Sequence, residues 1–306
     1  MISNDNLPPD DLILPFKLEN SGLRGRVVRL GQTLDEILEA HDYPLPVSQL
    51  VAEACTLSLC LSSMLKYEGI FTLQAQGKGA IAMVVADVHS PGKLRGCASF
   101  DEEQLKTLMK EEVERFSPLN SYMGEGYIAF TVDQGEHAER YQGIVDLSGH
   151  SLHDCVHHYF EQSEQIRTLI KLAVGREDKS WRASAVMLQV VPEEGGEEVE
   201  VDSEAWTRAT TLLNTVTDEE LLSSDLSMQE LLIRLFHEEG VRVFPTEEVT
   251  RHCKCSTEKV ENVLKLLSED DRDYMTRDGA IEMTCEFCSK TFRLDPETMK
   301  SLPADQ

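Results

Sequence analysis

Apolar positions recur along this chain with two periods, and the alternation between them predicts most of its elements. Residues 11–30 read as two extended segments around the turn-rich Glu19-Asn20-Ser21-Gly22. Thr33, three residues before Glu36, has the spacing of a capping box and predicts a short helix carrying Leu34, Ile37 and Leu38. After Pro44 and Pro46, the helical spacing of Val47, Leu50, Val51, Ala54, Leu57, Leu61 and Leu65 predicts a longer helix that Gly69 ends. Residues 71–76 and 80–88 read as strands joined by Gly77-Lys78-Gly79. A GxG could cradle a phosphate, but no helix N-terminus follows, so a hairpin is expected and no nucleotide site. Leu105, Leu108, Met109, Val113 and Phe116 predict another helix, and residues 127–132, 141–147, 166–174 and 183–191 further strands. Residues 1–192 are therefore expected to form an α/β (α+β) core with a mixed sheet.

The pattern changes at Pro192-Glu193-Glu194-Gly195-Gly196-Glu197-Glu198, where turn residues and like charges mark a boundary. Over 193–245 short amphipathic helices follow. One runs from Ser203 with Trp206, Ala209, Leu212 and Leu213, and two open on capping boxes, Thr217 with Glu220 and Ser227 with Glu230 before Leu231, Leu232, Leu235 and Phe236. Helices this short need a surface to dock on. Two readings stay open, an ordinary helical subdomain or a linker that packs on its neighbours and comes free.

Residues 246–306 carry the chemistry. Cys253-Lys254-Cys255 faces Cys285-Glu286-Phe287-Cys288 across 29 residues, so half of the eight cysteines fall within 36 positions. A CxC opposite a CxxC has the form of a tetrahedral thiolate zinc site. The spacer suits this: Ser256 and Thr257 are N-cap candidates for a helix with Val260, Val263, Leu264 and Leu267, Asp278-Gly279 is a tight turn, and residues 280–284 and 290–294 are strands flanking the second pair. The CxxC thus sits on a hairpin knuckle. Four thiolates close the shell, so this zinc would not activate water. In a module of 61 residues it would instead carry the fold, since structural zinc supplies roughly 10–16 kcal/mol. A permanent clip and a thiol switch, each pair able to close a disulfide on oxidation, both fit the spacing.

Composition narrows the function. The net charge is −26, and residues 246–306 hold 9 basic against 14 acidic side chains, so the module has no basic stripe for nucleic acid. No run of about 18 apolar residues appears, so a transmembrane helix is not expected. The N-terminus, with Asp5, Asp10 and Asp11, does not read as a signal peptide, which places the cysteines in a reducing cytoplasm. Cys55 and Cys60, inside the long helix, are expected to be inert packed thiols. His153 and His157 share a helix face as a metal pair would, but the HExxH glutamate is missing and Leu152, Val156 and Phe160 claim that helix for packing. No GxSxG elbow, P-loop or Cys/His nucleophile pattern is found, which points away from an enzyme.

The runs Leu235-Phe236-His237-Glu238-Glu239, Val241-Arg242-Val243-Phe244, Cys253-Lys254-Cys255-Ser256 and Gly279-Ala280-Ile281-Glu282-Met283-Thr284-Cys285-Glu286-Phe287-Cys288 resemble the redox-regulated holdase chaperones of the 33 kDa heat-shock protein family. Gln74-Ala75-Gln76-Gly77 and Arg95-Gly96-Cys97-Ala98 extend the likeness through the core. The resemblance implies an ATP-independent holdase held inactive while Cys253, Cys255, Cys285 and Cys288 bind one Zn2+. It further implies that oxidation forms Cys253–Cys255 and Cys285–Cys288 disulfides, ejects the zinc, unfolds module and linker, and exposes apolar surface to unfolding client proteins. Dimerisation on activation and transfer of clients to ATP-dependent refolding chaperones are implied as well. Two alternatives are a zinc-ribbon nucleic-acid binder, which the charge disfavours, and a thiol oxidoreductase, whose CxxC would stand at a helix N-terminus beside a βαβ unit.

Overall fold

The computed structural model describes residues 10–111, 119–135, 141–161, 166–177, 179–190 and 203–295. The chain divides into two compact units, residues 1–251 and 252–306.

The first unit is built around helix α2 (Leu45–Ser62), which is apolar on all sides because it lies between two sheets. Thr56 and Ser58 are satisfied within the helix, donating their hydroxyls to the carbonyls of Ala52 and Ala54 at 2.8 and 2.7 Å. The first sheet runs β10 (Val241–Val243), β1 (Leu12–Leu18), β2 (Arg24–Leu30), β9 (Ser180–Gln189), β8 (Thr168–Glu177), with β11 (Glu247–Glu248) also on β1. The second runs β12 (Thr250–Arg251), β5 (Lys93–Phe100), β4 (Ile81–His89), β3 (Ile70–Gly77), β6 (Gly126–Asp133), β7 (Tyr141–Asp146). Among the described strands only β12 is parallel to its neighbour, which makes the second sheet mixed, as expected.

Strand periodicity assigns the two faces of the first sheet to different cores. Ile13, Val28, Leu30, Ala183, Ala185 and Met187 point to α2, and Leu14, Phe16, Val27, Val186 and Leu188 point away. That second face is covered by α6 (Ser203–Leu213), α7 (Asp218–Leu222) and α8 (Met228–Phe236), whose buried Ala209, Leu213, Leu221, Leu231, Leu232 and Phe236 complete the second core. Both capping boxes form, Thr217 with Glu220 and Ser227 with Glu230. Gly175 in β8 leaves room for Leu222 of α7, whose Cδ1 would stand 2.6 Å from a Cβ there and would have to shift.

Several expectations are corrected. α1 (Gln32–Leu38) starts at Gly31, and the acceptor for its first amides is Asp11, taking the N–H groups of Gly31 and Thr33 at 3.0 and 3.2 Å. Thr33 is no cap; its hydroxyl donates to the carbonyl of Val249. α2 ends at Ser62, leaving Leu65 outside it and 45% exposed. By length and overall composition α2 could cross a membrane, although Ser48, Gln49, Glu53, Thr56 and Ser58 interrupt its apolar run; 89% of it is buried inside the protein. α3 (Glu102–Glu111) carries Leu105 and Leu108, while Val113, Phe116 and the boundary at 192–198 lie outside the described residues. Gly77-Lys78-Gly79 is the expected hairpin; the amides of Lys78 and Gly79 donate to the carbonyls of Glu125 and Met123, so no phosphate cradle exists there. After α8 the chain returns to strand at β10, inside the span 193–245 expected to be helical, and β11 and β12 follow within the expected 246–306 module.

Candidate metal centre

The second unit has a small core of Leu264, Ile281 and Leu294, with Val260, Leu267, Met275 and Met283 against it. Ser256 caps α9 (Thr257–Lys265) by accepting from the amide of Lys259, as its position predicts. An unforeseen helix, α10 (Glu269–Met275), capped by Ser268, leads into a small sheet of β13 (Thr276–Arg277), β14 (Ala280–Thr284) and β15 (Thr291–Leu294). Asp278 and Gly279 join β13 to β14 with φ of +49° and +74°, the left-handed pair of a type I′ turn.

Between β14 and β15 the chain forms a knuckle. The amide of Cys285 donates to the carbonyl of Lys290, and the amides of Cys288 and Ser289 donate back to that of Cys285, at 3.4 and 2.8 Å. Ser289 adopts φ +55°, which turns the chain so that both sulfurs of the CxxC face one point. The CxC sits immediately before the Ser256 cap, so helix α9 fixes its departure direction.

The four sulfurs meet. The Sγ atoms of Cys253, Cys255, Cys285 and Cys288 all lie within 4.8 Å of one another, with Cys253 to Cys285 at 3.7 Å and Cys255 to Cys288 at 3.4 Å. Sulfurs at the corners of a zinc tetrahedron with bonds of ~2.3 Å are ~3.8 Å apart, so the set is pre-shaped for such an ion. Their acid–base chemistry agrees. Burial alone raises Cys253, but hydrogen bonds from the Cys255 amide and the neighbouring thiols overcome it and bring Cys253 down to about 7. Cys255 is pushed up to about 12 by burial and the adjoining sulfurs, and Cys285 is raised mainly by burial. One thiolate forms readily while Cys255 and Cys285 resist, because burial and the neighbouring sulfurs oppose further charge at one point. A dication removes that repulsion.

The remaining cysteines are of another kind. Cys55, Cys60, Cys97 and Cys155 are buried, and burial raises Cys55 and takes Cys60 up to about 12, in keeping with inert packed thiols. On α5 (Leu152–Tyr159), His153 Nδ1 contacts the carboxylate of Glu53 at 2.7 Å, whereas His157 lies 3.7 Å from Glu161. The two histidines hold separate partners. Among the described residues no other group of His, Cys, Asp or Glu converges as the four thiols do.

The family model described as Hsp33 protein matches residues 11–295. The chain belongs to the Hsp33 family. It is 39% identical over 293 residues to a 33 kDa chaperonin of Caulobacter vibrioides, covering 94% of this chain and 95% of the relative. With a 33 kDa chaperonin of Escherichia coli it shares 34% over 287 residues, covering 94% and 92%. The crystal structure of a 33 kDa chaperonin, a heat shock protein 33 homologue from Thermotoga maritima, superposes with a TM-score of 0.80 at 20% identity, covering 95% of this chain and 97% of that one, which shows the shared Hsp33 fold.

Proposed function

We propose that this chain is a redox-regulated, ATP-independent holdase of the cytoplasm, with a core at 1–192, a linker at 193–245 and a redox-switch zinc module at 246–306. The observation that carries the reading is the convergence of four sulfurs within 4.8 Å in a unit whose buried core is Leu264, Ile281 and Leu294. So little apolar burial leaves the module dependent on its metal. Cys253, Cys255, Cys285 and Cys288 would hold Zn2+, which supplies charge neutralisation and a cross-link, not catalysis.

Oxidation reverses this. Four thiolates give four electrons to two molecules of peroxide, form Cys253–Cys255 and Cys285–Cys288, and lose the ion, since a disulfide sulfur is a poor ligand. Release of the linker would then bare Leu14, Phe16, Val27, Val186 and Leu188, an apolar sheet face fit for unfolding client proteins. Dimerisation of the oxidised form and delivery of clients to ATP-dependent refolding chaperones complete the proposal.

The experiment is zinc analysis with thiol counting, run beside light scattering from a thermally unfolding client. One zinc per reduced chain, and none once peroxide has made the chain active, is the expected result. Full activity with zinc retained would reduce the site to a structural clip.

A further inference from the structure

The face of the first sheet beneath the linker is not apolar throughout. At one end stands Arg29, on the same face as Val27 and only 1% exposed. Its Nη1 donates to the carbonyl of Leu226, between α7 and α8, at 2.7 Å, and its Nε lies 3.9 Å from the carboxylate of Asp10. Its Nε and Nη2 have no hydrogen-bond partner among the described residues. Across the strand pair stand Ser184, paired with Arg29, and Arg182, whose Nη2 donates to the same Asp10 carboxylate at 2.7 Å. Two guanidinium groups therefore share one carboxylate, a net positive end to an apolar stripe in a chain of net charge −26.

The linker seated there shows what the face accepts. Besides its apolar residues it brings a carbonyl oxygen to Arg29, and its Asp218, Glu219 and Asp225 line a cavity of about 440 Å3 together with Arg176 and Arg182. Residues 203–245 hold eight acidic and three basic side chains. The occupant of the closed state is apolar and acidic, complementary to the face in both respects.

We propose that the uncovered face selects client segments in which a carboxylate stands beside apolar residues, with Arg29 reading the carboxylate, so that the linker is an internal stand-in for the client. The inference rests on the proposed release of the linker. Once the linker leaves, Arg29 keeps its charge and its unfilled donors, and an incoming carboxylate satisfies both where an amide satisfies only part. The preference has the opposite sign to the long-range field, because a chain of −26 repels acidic peptides everywhere else.

The test uses two labelled peptides of Leu, Val and Phe residues around a single Glu or, in its place, Gln. Their binding is measured by fluorescence anisotropy to the oxidised full chain, and to the reduced full chain carrying Phe236→Asp, which undocks α8 without oxidation. Expected is about tenfold tighter binding of the Glu peptide, the scale of one charge-assisted hydrogen bond. Arg29→Met should erase the difference between the two peptides. Equal binding of the two peptides, a Gln preference, a Glu preference that survives Arg29→Met, or no binding by either form would each overturn the assignment. Oxidised wild type that binds neither peptide, beside a reduced Phe236→Asp chain that prefers Glu, would leave the assignment standing and remove oxidative release instead.

Discussion

Phe16 of β1 stacks on Phe236 of α8, ring centroids 6.1 Å apart and planes 23° apart. The contact is possible because Phe16 lies across Gly25 on β2, where any side chain would collide with its ring. This aromatic pair joins the sheet to the last linker helix, and both rings are fully buried. Phe236→Ala removes one partner and leaves a void, a change that costs about 3–5 kcal/mol at well-packed sites. Most of that falls on linker docking, so the reduced variant should suppress client aggregation where the reduced wild type does not. Its zinc content, measured in parallel, should stay at one per chain.

Cys285→Ser should act through the metal. A hydroxyl is a weak zinc ligand, so affinity falls and the module, with its small core, unfolds even in excess reductant. Light scattering from a client should reveal partial holdase activity in reductant. A variant stripped of zinc yet as silent as the reduced wild type would show that the disulfides themselves are required.

The thiols should fall into two classes in the native protein. After chelation of the metal unfolds the module, a disulfide reagent near neutral pH should react rapidly with its four exposed sulfurs and only slowly with Cys55, Cys60, Cys97 and Cys155, which stay buried in the core. Rapid titration of all eight would mean that the core opens under native conditions.

His153 gives stability a pH dependence of definite sign. Burial lowers its pKa, but the hydrogen bond and charge of Glu53 outweigh this and the net shift is upward from 6.5. A group raised in the folded state contributes fully below its unfolded value and loses that contribution as pH rises through the folded one. Stability should therefore decline from about pH 6.5 upward as this pair neutralises, and Glu53→Gln should flatten that part of the profile in thermal melts. The buried Glu53, on α2, also accepts the backbone amide of His153 at 3.0 Å, so the variant should be less stable overall.

What the sequence disclosed was what local chemistry determines. The caps at Ser256, Thr217 and Ser227 and the tight turn at Asp278-Gly279 are each set within a few residues, and all four formed as their spacing predicts. The cysteine spacing likewise announced which sulfurs would meet. Capping by Asp11 was hidden, because it reaches a helix twenty residues on and only strand pairing brings it there. β10 to β12 are too short to show a period, and each exists through an edge already formed by β1 or β5. Arg29 reads in RGRVVRL as an outward polar position of a half-exposed strand, and is buried only because a third layer covers that face. α2, long and apolar enough for a membrane span by composition, is a core helix because the two sheets enclose it.

Residues 241–251 are hydrogen-bonded into the edges of both sheets, through β10 and β11 on β1 and β12 on β5. The linker is consequently a loop pinned at both ends, not a tail. When it lifts from the sheet it cannot diffuse away, and its local concentration at the vacated face stays on the order of millimolar. Any client on that face is held in competition with a tethered rival that is always within reach. Under the proposed switch, rebinding of the linker after reduction would then be a unimolecular event, independent of protein concentration, and displacement of the client would follow from the connectivity of the chain.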